Sequence, residues 1–251
     1  MSTLEQYQNK YENLRISRQD GILEVVLHTK GKSLAWSATA HRELGEAFRE
    51  IATDAENRVM LLTGTGESFC ADADAASFAE SLATPAGWAK VYGEGRNLYE
   101  SLLDIPIPIV GVVNGPARAH AALAVLSDIV IASETATFAD GHFNENGIVP
   151  GDGVQVIWPL LLGANRGRYF LLTDEELDAA TALQLGVVAE VLPADKVLDR
   201  GRELARQLNT RSSFTLRGTR VAISLELRRL LHQGLGYGLA LEVVGAVVGG
   251  E

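Results

Sequence analysis

Apolar residues fall into two periodicities along the chain. "GILEVVLHT" (21–29) follows the turn "QDG" and predicts a strand, and "RVMLLTGTG" (58–66) predicts a buried strand ending in a glycine-rich turn. "IPIVGVVNGP" (107–116) and "SDIVIASETATFAD" (127–140) predict two more. Between these runs the spacing becomes helical. In "TAHRELGEAFREIATD" (39–54), Leu44, Phe48 and Ile51 recur every three or four residues, and Ser37 or Thr39 is available as the N-cap. "WAKVYGEGRNLYESLLD" (88–104) predicts a second helix and "AALAVLSD" (121–128) a short apolar third. Strands alternating with helices imply an α/β core in which the strands are covered on at least one side.

After Pro150 the pattern turns mainly helical: "GVQVIWPLLLG", "GRYFLLT", "DAATALQLG" and "DKVLDRGRELARQLN". The last stretch, "LELRRLLHQGLGYGLALEVVGAVVGG", is apolar enough to need burial, with another subunit as one possible cover. This divides the chain into a core, 1–197, and a helical C-terminal region, 198–251, without repeats or low-complexity tracts.

Composition narrows the classes. A chain of 251 residues, 47% hydrophobic, supports one sizeable core. A formal charge of −10 and a pI near 5.0 argue against nucleic acid or an anionic membrane surface as partner, since both need a basic face. Cys70 stands alone, which excludes an internal disulfide framework and a thiolate metal site. The polar start "MSTLEQYQNKYENLRISRQDG" lacks the apolar stretch of a signal peptide, and no run reaches the roughly 18 apolar residues of a spanning helix, so a cytoplasmic protein is expected.

With five histidines, placement is informative. His28 ends the first strand and His232 sits in "RRLLHQG"; both read as structural or exposed. His41 shares the inward stripe of Leu44 and Phe48, so it is either a hydrogen-bonded core residue or a site residue. Trp36, just before that helix, carries an indole N–H that needs a partner when buried. His120 follows "VVNGP" and precedes the short helix, whose N-terminal dipole disfavours imidazolium; a neutral ring there suits either a cap or a donor to a developing oxyanion. In "DGHFNENGIVPGDG", His142 and Asp152 are separated by a loop in which Gly147, Pro150, Gly151 and Gly153 supply bends. If the loop folds back, the aspartate orients the imidazole, which then takes a proton from water; otherwise these are two unrelated polar residues. Glu242 shares a helical face with Leu235, Leu239, Val243 and Ala246, so its carboxyl is either paired or raised in pKa. Nucleophile-elbow, Walker, dinucleotide-binding and HExxH signatures are absent, and no two histidines stand at i, i+4, so no cofactor or metal is expected.

Over roughly residues 20–200, "VMLLTGTGESFCADADAASF", "IPIPIVGVVNGPARAHAALAVLSDIVIASETATFAD" and "GIVPGDGVQVIWPLLLGANRGRYFLLTDEELDAATALQLGVVAEVLP" resemble the crotonase (enoyl-CoA hydratase/isomerase) superfamily. The resemblance implies an α/β right-handed spiral of ββα units, a helical C-terminal trimerisation region, and a homotrimer or dimer of trimers. The chain departs from the thioester-processing pattern at two places. "FCADAD" puts Asp72 at a glycine position and Ala73 at the usual amide donor, and "ARAHAAL" replaces a glycine run with His120 in its midst. The hydratase glutamates are missing too: Ala122 and Leu123 stand near one, and Asn144–Asn146 near the other.

"GKSLAWSATAH", "VNGPARAH", "NGIVPGDG", "NRGRYFLLT" and "GLALE" are similar to the β-diketone hydrolases of this superfamily, the 6-oxocamphor hydrolase type. That similarity implies catalytic roles for Trp36, His41, His120, His142, Asp152 and Glu242, with a small cyclic diketone as substrate and no cofactor. Under it, His142 oriented by Asp152 activates water, Trp36 and His120 hold the carbonyl oxygens, and His41 and Glu242 position the substrate or relay a proton. The rival readings are a CoA-thioester hydratase or isomerase, and a non-catalytic scaffold.

Overall fold

A computed structural model describes residues 2–248. A short helix α1 (Leu4–Tyr7) leads into the hairpin β1 (Leu14–Gln19) and β2 (Ile22–Leu27), then β3 (Leu34–Trp36) and α2 (Ala38–Thr53). Next come β4 (Val59–Gly64), β5 (Cys70–Ala73), α3 (Ala79–Leu82) and α4 (Pro85–Asp104). They are followed by β6 (Ile109–Val113), α5 (Ala122–Val125), β7 (Ile129–Ser133) and β8 (Thr137–Phe138). The remainder is α6 (Val154–Leu162), α7 (Ala164–Thr173), β9 (Leu177–Asp178), α8 (Ala179–Gln184), β10 (Glu190–Leu192), α9 (Val197–Asn209) and α10 (Ser213–Val248).

Six strands form one sheet in the order β1-β2-β4-β6-β7-β10. Only the β1–β2 pair is antiparallel, closed by Asp20 and Gly21 at φ 52° and 80°, the two left-handed residues that a tight hairpin turn requires. A smaller sheet runs beside it: β3 pairs parallel with β5, single bridges join Cys70 to Ala117 and Ala117 to Phe138, and β8 pairs with β9. Along the chain, β2, β4, β6 and β7 in the large sheet are each followed by a strand or bridge residue in the small one and then by helix. This is the spiral of ββα units that the family resemblance implies, with the right-handed crossovers favoured by parallel strands. The run 127–140 is two strands, because a turn closed by Ala136 N–H to the Ser133 carbonyl (3.0 Å) sends the chain from one sheet to the other.

Both faces of the large sheet are covered. Met60 and Leu62 face the main core, whereas Val59 and Leu61 join Val110, Val112 and Ile131 under α9. Helix α9 lies so close that a Cβ on its Gly201 would come within 2.4 Å of Val112 Cγ2. Residues 197–209 therefore form a layer on the sheet.

Helix α10 leaves that layer and packs on α4 and α6. Its anchor is Arg220, which is 1% exposed; Nε lies 2.9 Å from Asp128 Oδ2, and Nη1 donates to the Leu103 carbonyl (3.1 Å). Asp128 Oδ2 also accepts the Ile109 N–H (2.8 Å), so one carboxylate joins the start of β6 to the long helix. Removing one member of a buried pair leaves an uncompensated charge, so Arg220→Met should lower unfolding free energy by about 3–5 kcal/mol in urea titrations. A loss below about 1 kcal/mol, typical of exposed pairs, would show that α10 does not depend on this contact.

Candidate active site

The small sheet positions the first two side chains. The Asp74 N–H, just past β5, donates to the Trp36 carbonyl at the end of β3 (2.6 Å), tying the two strand ends together. Ser37 then caps α2, its hydroxyl accepting the Ala40 N–H (3.2 Å), so the chain turns from strand to helix within one residue. That turn brings the His41 ring edge-on to Trp36, with centroids 5.8 Å apart at 82°. Phe78 packs against His41 at 5.8 Å, and Glu94 Oε2 of α4 lies 3.6 Å from His41 Nδ1.

His120 has φ 54°, the left-handed region that glycine adopts freely and other residues rarely do. Its ring lies against Trp36, with centroids 3.8 Å apart and planes tilted by 31°. Tyr99 of α4, wholly buried, places its hydroxyl 3.0 Å from His120 Nδ1 and 3.4 Å from Asp152 Oδ2. Asp152 Oδ2 is also 3.4 Å from His120 Nδ1. Burial drives the His120 pKa down to about 3, against the pull of Asp152, so the ring is neutral. Burial, with Asp152 beside it, pushes the Tyr99 phenol well above its ordinary range, so it keeps its proton.

His142 sits on the loop after β8. Its Nδ1 lies 2.8 Å from Asp140 Oδ1, and the same oxygen accepts its main-chain N–H (3.3 Å). On the other side, Nε2 is 3.8 Å from Asp152 Oδ2, and the His120 ring centroid is 6.3 Å away. Burial alone would lower this pKa, but the charge of Asp152 and the hydrogen bond and charge of Asp140 outweigh it and hold it up at about 10. The family similarity assigns Asp152 the task of orienting His142. In the structure the loop does fold back, but Asp140 holds the ring, because the turn closed by Ile148 N–H to the His142 carbonyl (2.8 Å) brings Asp152 in from the opposite edge. Asp152 instead stands between the two histidines.

Glu242 arrives from α10. The helix touches the loop through glycine: a Cβ on Gly151 would come within 2.1 Å of the Gly238 carbonyl oxygen and 3.0 Å of Glu242 Cβ. Leu235 and Leu239 of the same helix are buried as expected, whereas the Ala246 side chain lies outside the described residues. Burial, with Asp152 and Asp140 nearby, raises the Glu242 pKa to about 8, with His142 opposing. Three buried polar atoms, Asp152 Oδ1, Glu242 Oε2 and His41 Nδ1, have no hydrogen-bond partner among the described residues and are free for substrate or water.

All six residues singled out in the sequence thus converge, and the site adds Tyr99, Asp140 and Glu94. His28 stands apart, its Nδ1 accepting the Gly31 N–H (3.3 Å), and His232 is exposed beside Glu100. Among the described residues no group of three or more histidine, cysteine or acidic side chains is arranged to hold a metal ion, and no helix is long and apolar enough to cross a membrane.

Comparison with known proteins places these features in a family. A model described as enoyl-CoA hydratase/isomerase matches residues 17–238. Carnitinyl-CoA dehydratase of Citrobacter koseri is 34% identical over 199 residues, 78% of this chain and 74% of that protein. The 1,2-epoxyphenylacetyl-CoA isomerase of Escherichia coli is 29% identical over 204 residues, 79% of this chain and 76% of that protein. Among solved structures, a β-diketone hydrolase from the cyanobacterium Anabaena, bound to (S)-3-oxocyclohexyl acetic acid, superposes with a TM-score of 0.93 at 47% identity, covering 96% of both chains. An enoyl-CoA hydratase/isomerase from Mycobacterium paratuberculosis superposes with a TM-score of 0.89 at 25% identity, again covering 96% of both chains.

The site's proton affinities set a pH dependence of stability. His120, lowered to about 3, binds its proton only when unfolded between there and about 6.5, so it weakens folding as pH falls through that window. His142, raised to about 10, holds an extra proton when folded above about 6.5, and Glu242, raised to about 8, does so above about 4.3; both lose their stabilisation as pH rises. His120→Asn, which tolerates the left-handed backbone, should therefore be more stable at about pH 5 relative to about pH 7 than the wild type is, in urea titrations, because the opposing contributions of Glu242 and His142 remain. An equal difference in both proteins would show that His120 is not held neutral by the fold.

Proposed function

The chain belongs to the enoyl-CoA hydratase/isomerase (crotonase) family, and we propose that within it this protein hydrolyses a carbon–carbon bond of cyclic 1,3-diketones to give keto acids. The observation that carries this reading is His120. It occupies, in a left-handed conformation, the glycine run that the family resemblance assigns to a thioester oxyanion hole, and its neutral ring lies against Trp36 beside Asp152. Charge developing on a carbonyl oxygen would be met here by side-chain donors rather than by paired amides. The similarity to a β-diketone hydrolase seen with a cyclic keto acid supports the same chemistry.

The reaction adds water across one carbon–carbon bond. Hydroxide adds to one carbonyl carbon, the bond to the intervening carbon breaks with its electron pair, and that carbon, now part of an enolate, takes up a proton. Trp36 and His120 hold the two oxygens. His142 in its neutral form, steadied by Asp140 and with Asp152 at its other nitrogen, receives the proton of the attacking water; Glu242 in its protonated form returns one to the enolate, and His41 positions the ring system. Helices α4 and α10 also form an apolar cleft of about 770 Å³ whose walls include Trp88, Tyr92 and Val243, and the six candidate residues lie outside its lining. The oligomer in this reading is a homotrimer or dimer of trimers, supported by the exposed Phe214, Ile223, Leu225 and Tyr237 on α10.

The relationship to CoA-processing relatives favours a second reading, an acyl-CoA hydratase or isomerase. The replacement of the glycine run and of the hydratase glutamates speaks against it. Incubation with a bicyclic 1,3-diketone, without cofactor, should release acid, whereas acyl-CoA turnover with an inert diketone would favour the rival. His142→Ala and Asp152→Ala should each slow acid release roughly 10²–10⁴-fold, and a wild-type rate in either would remove that group from the chemistry. A neutral His142 and a protonated Glu242 are required together, so kcat/KM should be bell-shaped with limbs near 8 and 10. A profile without either limb from about pH 7 to about pH 11 would end this assignment of roles.

A further inference from the structure

We propose that Asp140 is a positioning residue of this site: it fixes the His142 ring by its Nδ1 nitrogen and sets how tightly that ring holds a proton. Only the kinetic part of this inference rests on the diketone-cleaving reading. One oxygen, Asp140 Oδ1, serves both the ring (2.8 Å) and the main-chain N–H (3.3 Å) of the same residue, which closes a turn directly after the small sheet. A ring held at Nδ1 in that way keeps one orientation, and here its Nε2 faces Asp152 Oδ2 at 3.8 Å. An imidazole with a carboxylate at each nitrogen is most stable with both nitrogens protonated.

The two carboxylates are not equivalent. Asp152 is shared with Tyr99 and His120, and its other oxygen is unpartnered. Asp140 is buried, and among the described residues its side chain bonds only to His142. The groups facing His142 are Asp140 on its own loop, Asp152 at the start of α6, Glu242 from α10, the neutral His120 before α5 and, beyond Asp152, the neutral Tyr99 phenol from α4. Of these, Asp140 alone combines charge with a short hydrogen bond to the ring, so it is the group that can be removed without disturbing the rest.

Asp140→Asn keeps the shape and an acceptor oxygen but deletes the charge. The titration midpoint of His142, followed by NMR of 15N-labelled histidine in the substrate-free protein, should fall by roughly one to three pH units. The alkaline limb of kcat/KM should move by the same amount. A merely structural role would lower activity and leave both midpoints in place, which would overturn the proposal. If the variant does not fold, the wild-type spectrum decides: near neutral pH the signals lost in His142→Gln should report two protonated ring nitrogens, and a neutral ring would overturn the proposal. A shifted titration in a protein that leaves diketones intact would keep the role of Asp140 and reject the reaction instead.

Discussion

Loop and helix meet through main-chain atoms at Gly151 and Gly238, and the site exists only because they do. A Cβ on Gly238 would lie 2.2 Å from the Gly151 carbonyl oxygen and 2.0 Å from Gln155 Nε2, so neither position has room for a side chain. Gln155 holds the junction from the side, its amide oxygen accepting the Gly153 N–H (2.9 Å) and its amide nitrogen donating to the Gly234 carbonyl (3.2 Å). Through this contact a carboxyl some ninety residues further along the chain comes to share a buried volume with Asp152. Arg220 fixes the other end of the same helix, so α10 reaches the loop as a rigid arm held at both ends.

Close packing of ionisable groups then does the electrostatic work. His120 and His142 have identical side chains with centroids 6.3 Å apart, yet one is pushed to about 3 and the other to about 10. Burial acts the same way on both. The difference lies in partners: His120 meets a phenol that keeps its proton and one shared carboxylate, whereas His142 has a carboxylate at each nitrogen. A low-dielectric pocket amplifies that asymmetry into two separate protonation states, an uncharged ring and one that holds its proton tightly.

Much of this was legible in the chain. The central strands β4 and β6 announced themselves as apolar runs because both faces of a parallel strand are covered. Strands β3 and β5 did not, being three and four residues long in "SLAW" and "FCADAD", too short to show a period. Scarcity of histidine, and a glutamate alone in apolar company, pointed correctly to the residues that converge. Asp140 went unread because its partner is two residues away, where an aspartate in a turn looks like ordinary loop chemistry. Nothing in "RNLYESLLD" distinguishes Tyr99 from the core residues Leu98 and Leu102 on the same helix, since only the fold supplies the two groups its hydroxyl meets.

The left-handed backbone at His120 carries a consequence for how such a protein drifts or is engineered. Glycine or asparagine would occupy that conformation with less strain, whereas an imidazole there opposes the local preference by about 1 kcal/mol or more. Selection for robustness alone would therefore favour replacing this histidine. A histidine in a place that suits something smaller is local strain of the kind that gathers at functional sites.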